Sequence, residues 1–234
     1  MSGVCADCAV RDVALCAVLS DSELARLNSI GRRQRINKGS TVQWAGDESI
    51  MFANIISGVV KLSTGTADGR EQIVGLLYPA DSLGRLFALR VDYDATALTD
   101  AELCTFPRAA FERVLGDFHH LERQLLARTL GELENTRRWM LLLGRKSAEE
   151  KVATFLLHIT ERLKPADCPG AAKGSHTYEL PLTRGQIADV LGLTIETVSR
   201  QMTRLKTSGV IALPDSKRVT ILRPEALQDL AEAA

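Results

Sequence analysis

An excess of charge of either sign is missing from this chain: 29 lysines and arginines balance 29 aspartates and glutamates over 234 residues. A protein-wide basic field is therefore excluded, and any nucleic-acid footprint has to be local. Long apolar runs are lacking too, none approaching the roughly 20 residues that cross a bilayer. The N-terminus shows no basic-then-apolar layout of a secretory signal, so the expected location is cytoplasmic, with no membrane partner. Histidine is scarce, and His119, His120, His158 and His176 have neither metal-ligand spacing nor a place in a nucleophile and base pattern. No catalytic residue is assigned and an enzyme is not expected; His119 and His120 read as surface residues at a helix start. Internal repeats are absent. What remains, 45% hydrophobic and 25% charged residues, is a globular composition able to bury a core.

The most informative stretch is residues 186–211, QIADVLGLTIETVSRQMTRLKTSGVI. Ile187, Val190 and Leu191 fall at i, i+3 and i+4, which predicts a helix with one apolar side. Gly192 breaks it, supplying the left-handed backbone that a tight turn between crossing helices needs. Thr194 is placed to cap a second helix, in which Ile195, Val198, Met202 and Leu205 keep the buried spacing. Glu196, Thr197, Ser199, Arg200, Thr203 and Arg204 are left on exposed or partly exposed faces. Arg can donate twice to guanine, Glu can accept from cytosine, and Ser can bond a base edge or a phosphate. Glu196, Ser199 and Arg200 share one face. Residues 210–213 and 218–222 are β-branched runs joined by Pro214, Asp215, Ser216 and Lys217, which predicts a hairpin wing. Its Lys217 and Arg218 can reach phosphates, making this region a winged helix-turn-helix. From Arg184 to Arg218 the bases Arg184, Arg200, Arg204, Lys206, Lys217 and Arg218 outnumber the acids Asp189, Glu196 and Asp215.

Upstream, short β-rich runs over residues 41–44, 51–56, 59–63, 73–78 and 95–104 alternate with turns at Gly46-Asp47, Gly58, Asp68-Gly69 and Pro79-Ala80-Asp81. Such spacing implies an antiparallel barrel or jelly roll. Pro107 opens a short helix to Leu115. Residues 118–144 then contain no proline, and a helix of that length is roughly 40 Å long. Leu126, Leu130, Leu133, Arg137 and Met140 recur at four and three residues, a coiled-coil seam that predicts a homodimer, with Arg137 as its polar interruption. A further helix is expected over residues 148–163 and a loop over residues 165–175.

Five cysteines complete the inventory. In a reducing compartment they point to ligands or reactive thiols before disulfides. Cys5 and Cys8 form C-x-x-C, with Cys16 after seven further residues. Three thiolates leave a tetrahedral or cubane site one ligand short, and Cys104, on an expected strand, is the better fourth than Cys168 in its proline-flanked loop. A four-thiolate shell suits a four-iron four-sulfur cluster or a structural zinc, and ligand type alone leaves both open.

The run LTRGQIADVLGLTIETVSR, with Glu196, Ser199 and Arg200 in an E-x-x-S-R pattern, resembles the CRP/FNR superfamily of transcription regulators. The order of barrel, long helix and winged helix-turn-helix extends the resemblance over nearly the whole chain. It implies an α+β fold: an N-terminal antiparallel β-roll or jelly-roll sensor domain, a long dimerisation helix and a C-terminal winged helix-turn-helix. The boundaries expected are residues 1–30 for a cysteine-bearing arm and short helix, and 31–117 for a cyclic-nucleotide-binding-like β-roll. Residues 118–145 are expected as the dimerisation helix and 146–234 as the DNA-binding domain. Cyclic-nucleotide members carry a G-E-L run followed by Arg-Ser or Arg-Thr; residues 81–90, DSLGRLFALR, lack the Gly-Glu pair, so an anionic nucleotide is not expected.

In the FNR-type branch, Ala97-Leu98, Cys104 and Pro107 match the place of the fourth cluster ligand, and the longer gap before Cys16 looks like the α-proteobacterial FNR-like arrangement. The resemblance therefore implies a four-iron four-sulfur cluster on Cys5, Cys8, Cys16 and Cys104, with Leu15 shielding it from dioxygen and Asp7 matching without a physical role. It also implies reading of palindromic TTGAT-type sites by Glu196, Ser199 and Arg200. Contact with RNA polymerase would include residues 68–73, and the sensed signal would be oxygen. The alternatives are zinc, a thiol switch or another small effector bound by the barrel.

Overall fold

The computed structural model describes Cys5, residues 8–163 and residues 176–232. Asp7, Cys168 and the loop expected over residues 165–175 lie outside the described residues. The chain forms two compact units, Met1–Glu134 and Asn135–Ala234, and among the described residues no helix is long and apolar enough to cross a membrane.

In the first unit a 3-10 turn (Leu15–Val18) precedes α1 (Asp21–Ile30). Ser20 starts that helix by accepting the Glu23 N–H, while the Glu23 carboxylate accepts the Ser20 N–H at 2.8 Å. This reciprocal cap is worth about 1 kcal/mol. Eight strands follow: β1 (Arg32–Ile36), β2 (Thr41–Gln43), β3 (Met51–Ser57), β4 (Val60–Gly65), β5 (Glu71–Leu77), β6 (Ser82–Leu83), β7 (Asp94–Ala97) and β8 (Ala101–Pro107). They pair antiparallel into two four-stranded sheets, β1-β8-β3-β6 and β2-β7-β4-β5. The single strand expected over residues 95–104 is two strands in different sheets. The chain turns between them because the Leu98 N–H donates to Val59 O and Thr99 Oγ1 accepts the Val59 N–H. Gly58 makes that corner possible: its φ is +86°, and a Cβ there would lie 2.4 Å from the Asp100 carbonyl oxygen.

Two strands carried no periodic signal. β1 reads RRQRI, an edge strand whose charged residues discourage pairing with another chain. β6 has only two residues.

Alternation along β3 and β8 sends side chains to two different cores. Ala53, Ile55, Ala101 and Leu103 face the aliphatic interior of the roll with Val60, Leu77 and Leu83. Phe52, Ile56, Cys104 and Phe106 face the other way, under the N-terminal arm, α1 and α2 (Arg108–Asp117). There Phe111 stacks on Phe52 with centroids 4.4 Å apart and lies 5.3 Å from Phe106, contacts worth about 0.5–1.5 kcal/mol each beyond burial. Helix α3 (His119–Arg145) is 27 residues long.

In the second unit α4 (Ala148–Arg162) begins with a Ser147–Glu150 capping box. A three-stranded sheet, β10 (Ile211–Ala212), β11 (Arg218–Ile221) and β9 (His176–Glu179) in that order, stands beside α5 (Arg184–Leu191) and α6 (Ile195–Thr207), with α7 (Pro224–Glu232) last. β9 supplies an unanticipated third strand to the wing sheet.

Candidate functional site

The helix-turn-helix is built by local chemistry. Thr183 and Gln186 box the start of α5, and Gly192 ends it at φ +61° and ψ +41°. Thr194 Oγ1 then accepts the Thr197 N–H at 3.3 Å and caps α6. Val198, Gln201, Met202 and Leu205 form the buried face of α6. Ile195 is a correction: as the first residue of α6 it lies over Gly185 and is 53% exposed, and Gln201 is buried in its stead. Glu196, Arg200, Thr203 and Arg204 are exposed, while Thr197 and Ser199 are half-buried. Arg200 Nη2 donates to Thr197 Oγ1 at 3.4 Å, which holds the guanidinium along the recognition face. The Glu196 carboxyl is held below its ordinary value by its own backbone N–H and the Thr194 hydroxyl. Arg204 pairs with Glu149 at 3.2 Å. In the wing, Asp215 accepts the Lys217 and Arg218 N–H groups and pairs with Arg218 Nε at 2.7 Å, leaving Lys217 at the tip.

Cys5, Cys8, Cys16 and Cys104, all free thiols, line one cavity. Three come from the arm and the fourth from the middle of β8, where it pairs with Arg33 of β1 and Asn54 of β3. The arm folds by local turns, Arg11 N–H to Cys8 O at 3.1 Å, Ala14 N–H to Val10 O at 2.7 Å and Leu19 N–H to Cys16 O at 3.1 Å. It is tied to α1 by the Cys5 N–H donating to Asn28 Oδ1 at 3.2 Å and by an Arg11–Asp21 ion pair at 2.8 Å. Ala14 and Leu15 are fully buried, so the segment carrying Cys16 is anchored by apolar packing. The rest of the lining is mainly apolar, including Val10, Leu24, Leu27, Ile56 and Phe106.

Burial pushes these thiols up: Cys16 to about 11, Cys104 to about 12, and Cys5 in the same direction. The neighbouring cysteines add to the shift at each of the three, which reflects their proximity. Arg11 and Arg33 act against it at Cys5, Arg33 at Cys104, and Arg128 at Cys16.

The donor set suits a group held by four thiolates, since among the described residues the lining brings in no carboxylate or imidazole. Among the described residues no three His, Cys, Asp or Glu side chains are grouped so as to hold a single metal ion. The cavity measures about 10 Å³, room for about one water. Asn28, Arg33 and Arg128 gave no motif signal; only the spacing of Leu121, Leu125 and Arg128 along α3 marks the last of them.

On α3, Leu126, Leu130, Leu133 and Met140 are 58%, 57%, 45% and 69% exposed, and Arg137 is exposed with them. The β-roll interior is filled by aliphatic side chains. In the segment where cyclic-nucleotide regulators hold phosphate, Arg85 pairs with Asp92, and Arg90 Nη1 donates to Gly46 O at 2.6 Å.

The Crp-like helix-turn-helix domain model matches residues 150–230, and the cyclic nucleotide-binding domain model matches residues 33–118. The transcriptional activator protein FnrL of Cereibacter sphaeroides is 45% identical over 220 residues, covering 93% of this chain and 87% of that protein. The fumarate and nitrate reduction regulatory protein of Escherichia coli K12 is 34% identical over 233 residues, covering 97% and 90%. FixK2 from Bradyrhizobium japonicum superposes with a TM-score of 0.78 at 31% identity, covering 88% of this chain and 99% of that one. With both domain models in order and relatives matched over nearly its whole length, the chain belongs to the CRP/FNR family of DNA-binding transcription regulators, among its FNR-like members, and is not an enzyme.

Proposed function

We propose that this chain is an oxygen-responsive activator that holds a four-iron four-sulfur cluster on Cys5, Cys8, Cys16 and Cys104 and binds palindromic TTGAT-type DNA as a homodimer. The observation that carries the reading is the convergence of four thiols, from two remote segments, on one cavity. When bound, such a cluster supplies thiolate bonds that tie the arm to the roll, and a reactivity toward dioxygen that ends them. The four thiols must give up protons to bind, and Arg11, Arg33 and Arg128 favour the thiolates against burial. Leu15, fully buried beside Cys16, keeps that end of the site dry. Leu126, Leu130, Leu133 and Met140 offer the apolar surface that a second copy covers, with Arg137 between them. Two recognition helices then reach successive half-sites, Glu196, Ser199 and Arg200 reading bases while Arg204, Lys217 and Arg218 meet phosphates. In the segment 68–73 offered to RNA polymerase, residues 68–71 are exposed on a turn braced by the Asp68–Arg70 pair, while Ile73 is buried.

The test is purification without oxygen, with iron, sulfide and zinc assays and visible spectra before and after air. About four irons and four sulfides per chain, with an absorbance that bleaches in air, are expected for the cubane shell. Stoichiometric zinc without that absorbance would overturn the reading and leave the same thiols as a structural site.

A further inference from the structure

One half-buried cation joins the cysteine arm, the β-roll and the long helix. Arg128 of α3 donates through Nη1 to the Ala80 carbonyl at 2.9 Å and through Nη2 to the Val13 carbonyl. Val13 lies in the arm between Cys8 and Cys16, and the Arg128 charge is felt at the Cys16 thiol. Ala80 follows β5 at φ +77°, a left-handed backbone that a residue with a Cβ rarely adopts. Its N–H donates to Ile55 O at 2.8 Å, so strand β3 and Arg128 together hold the strained peptide. Arg128 Nε is buried without a hydrogen-bond partner, and the guanidinium leans on these two carbonyls.

The helix turns this pin into a lever. Leu121, Leu125 and Arg128 fall at i, i+4 and i+7 on the face packed against the first unit. Leu126 and Leu130 lie two residues to either side, about 200° around the helix, on the face that is exposed. Moving the arm carbonyl away would leave a permanently charged, part-buried donor without its acceptor, and the helix or its side chain must shift to rehydrate it.

We propose that Arg128 is the positioning residue through which the cysteine arm sets α3, so that the seam is presented to a second copy only while the arm is held. This rests on the cluster reading above. Arg128→Gln removes the charge and the double reach. Arg128→Lys keeps the charge and stem but can serve one carbonyl at a time, and so tests the link in a chain whose folding is least disturbed.

Each protein is prepared without oxygen, its iron counted, and its dimer dissociation constant measured by sedimentation in loaded and metal-free forms, with thermal melting as a check on the fold. Wild type is expected to tighten at least about tenfold on loading, whereas both variants should take up iron yet change by no more than about twofold. Variants that keep the wild-type ratio would overturn the link. A wild type that takes up iron without tightening would overturn both the link and the dimerisation reading. If wild type takes up no iron, the cluster reading alone fails, and amide exchange in the metal-free chain decides the link. Exchange over residues 13–19 should be about tenfold faster in Arg128→Gln and Arg128→Lys than in wild type; equal rates would overturn the link there too.

Discussion

Replacing Leu133 with Asp puts the dimer seam to a quantitative test. Leu133 is 45% exposed, so nearly half of the roughly 1.5–3 kcal/mol for burying a leucine remains to be gained on association, about 1 kcal/mol per copy. In a two-fold dimer the residue is lost twice, which gives about 2 kcal/mol. Two carboxylates brought within about 4 Å repel by at least about 1 kcal/mol even at the dielectric constant of water. The sum, about 3 kcal/mol, weakens the dimer on the order of a hundredfold. Among the described residues Leu133 belongs to neither core cluster of the first unit, and an aspartate in place of leucine costs a helix interior only about 0.5 kcal/mol. Sedimentation equilibrium of the protein prepared without oxygen should therefore show a monomer at concentrations where wild type is dimeric, with unchanged circular dichroism. A Leu133→Asp protein that is well folded and dimerises like wild type would falsify the seam.

Arg200→Ala should cost about 1–3 kcal/mol of preference at one guanine in each half-site while leaving affinity for random DNA unchanged; competition binding at fixed salt reads both, and equal losses would make Arg200 a phosphate contact. Metal-free protein should lose stability as pH rises above the ordinary thiol value of 9.0, because burial raises Cys16 to about 11 and Cys104 to about 12. The unfolded chain then gives up these protons first and binds fewer of them, so the free energy of unfolding falls with pH. Urea unfolding at pH 8 and pH 10 should show this, and Cys104→Ala should flatten the dependence; a slope that Cys104→Ala leaves unchanged would rule this thiol out as its source. Gly192→Ala meets no atom within 4 Å of its new Cβ, so its cost is the left-handed backbone alone. That is about 1–2 kcal/mol, a few degrees of melting temperature; no change would mean that the turn relaxes freely.

Legibility followed the range of the interactions. The helix-turn-helix could be read closely because Thr183, Gly192 and Thr194 act within a few residues, through caps and one backbone conformation. Ile195 was misplaced because a helix period assigns faces without knowing where the neighbouring helix ends; it lies over Gly185 at the rim. The strand expected over residues 95–104 ran too long because the sequence stays β-prone across the corner that Val59 and Gly58 impose from another segment. β1 escaped notice because an edge strand rich in arginine lacks apolar alternation. The site divides the same way. C-x-x-C and its third cysteine are neighbours in sequence, whereas Asn28, Arg33 and Arg128 reach the arm only through the fold.

The sequence by itself determined the class of this protein: two helices about a glycine, a wing, a long helix with an apolar seam and a cysteine-rich arm ahead of a β-roll. Each of these is written in periodicity and turn chemistry over tens of residues or fewer. Tertiary structure decided which face of β8 carries Cys104, that its thiol shares a cavity with the arm, and that Arg128 grips the arm and the roll at once. Strand register and the packing of α1, α2 and α3 settle these points, and both depend on contacts between segments far apart in the chain.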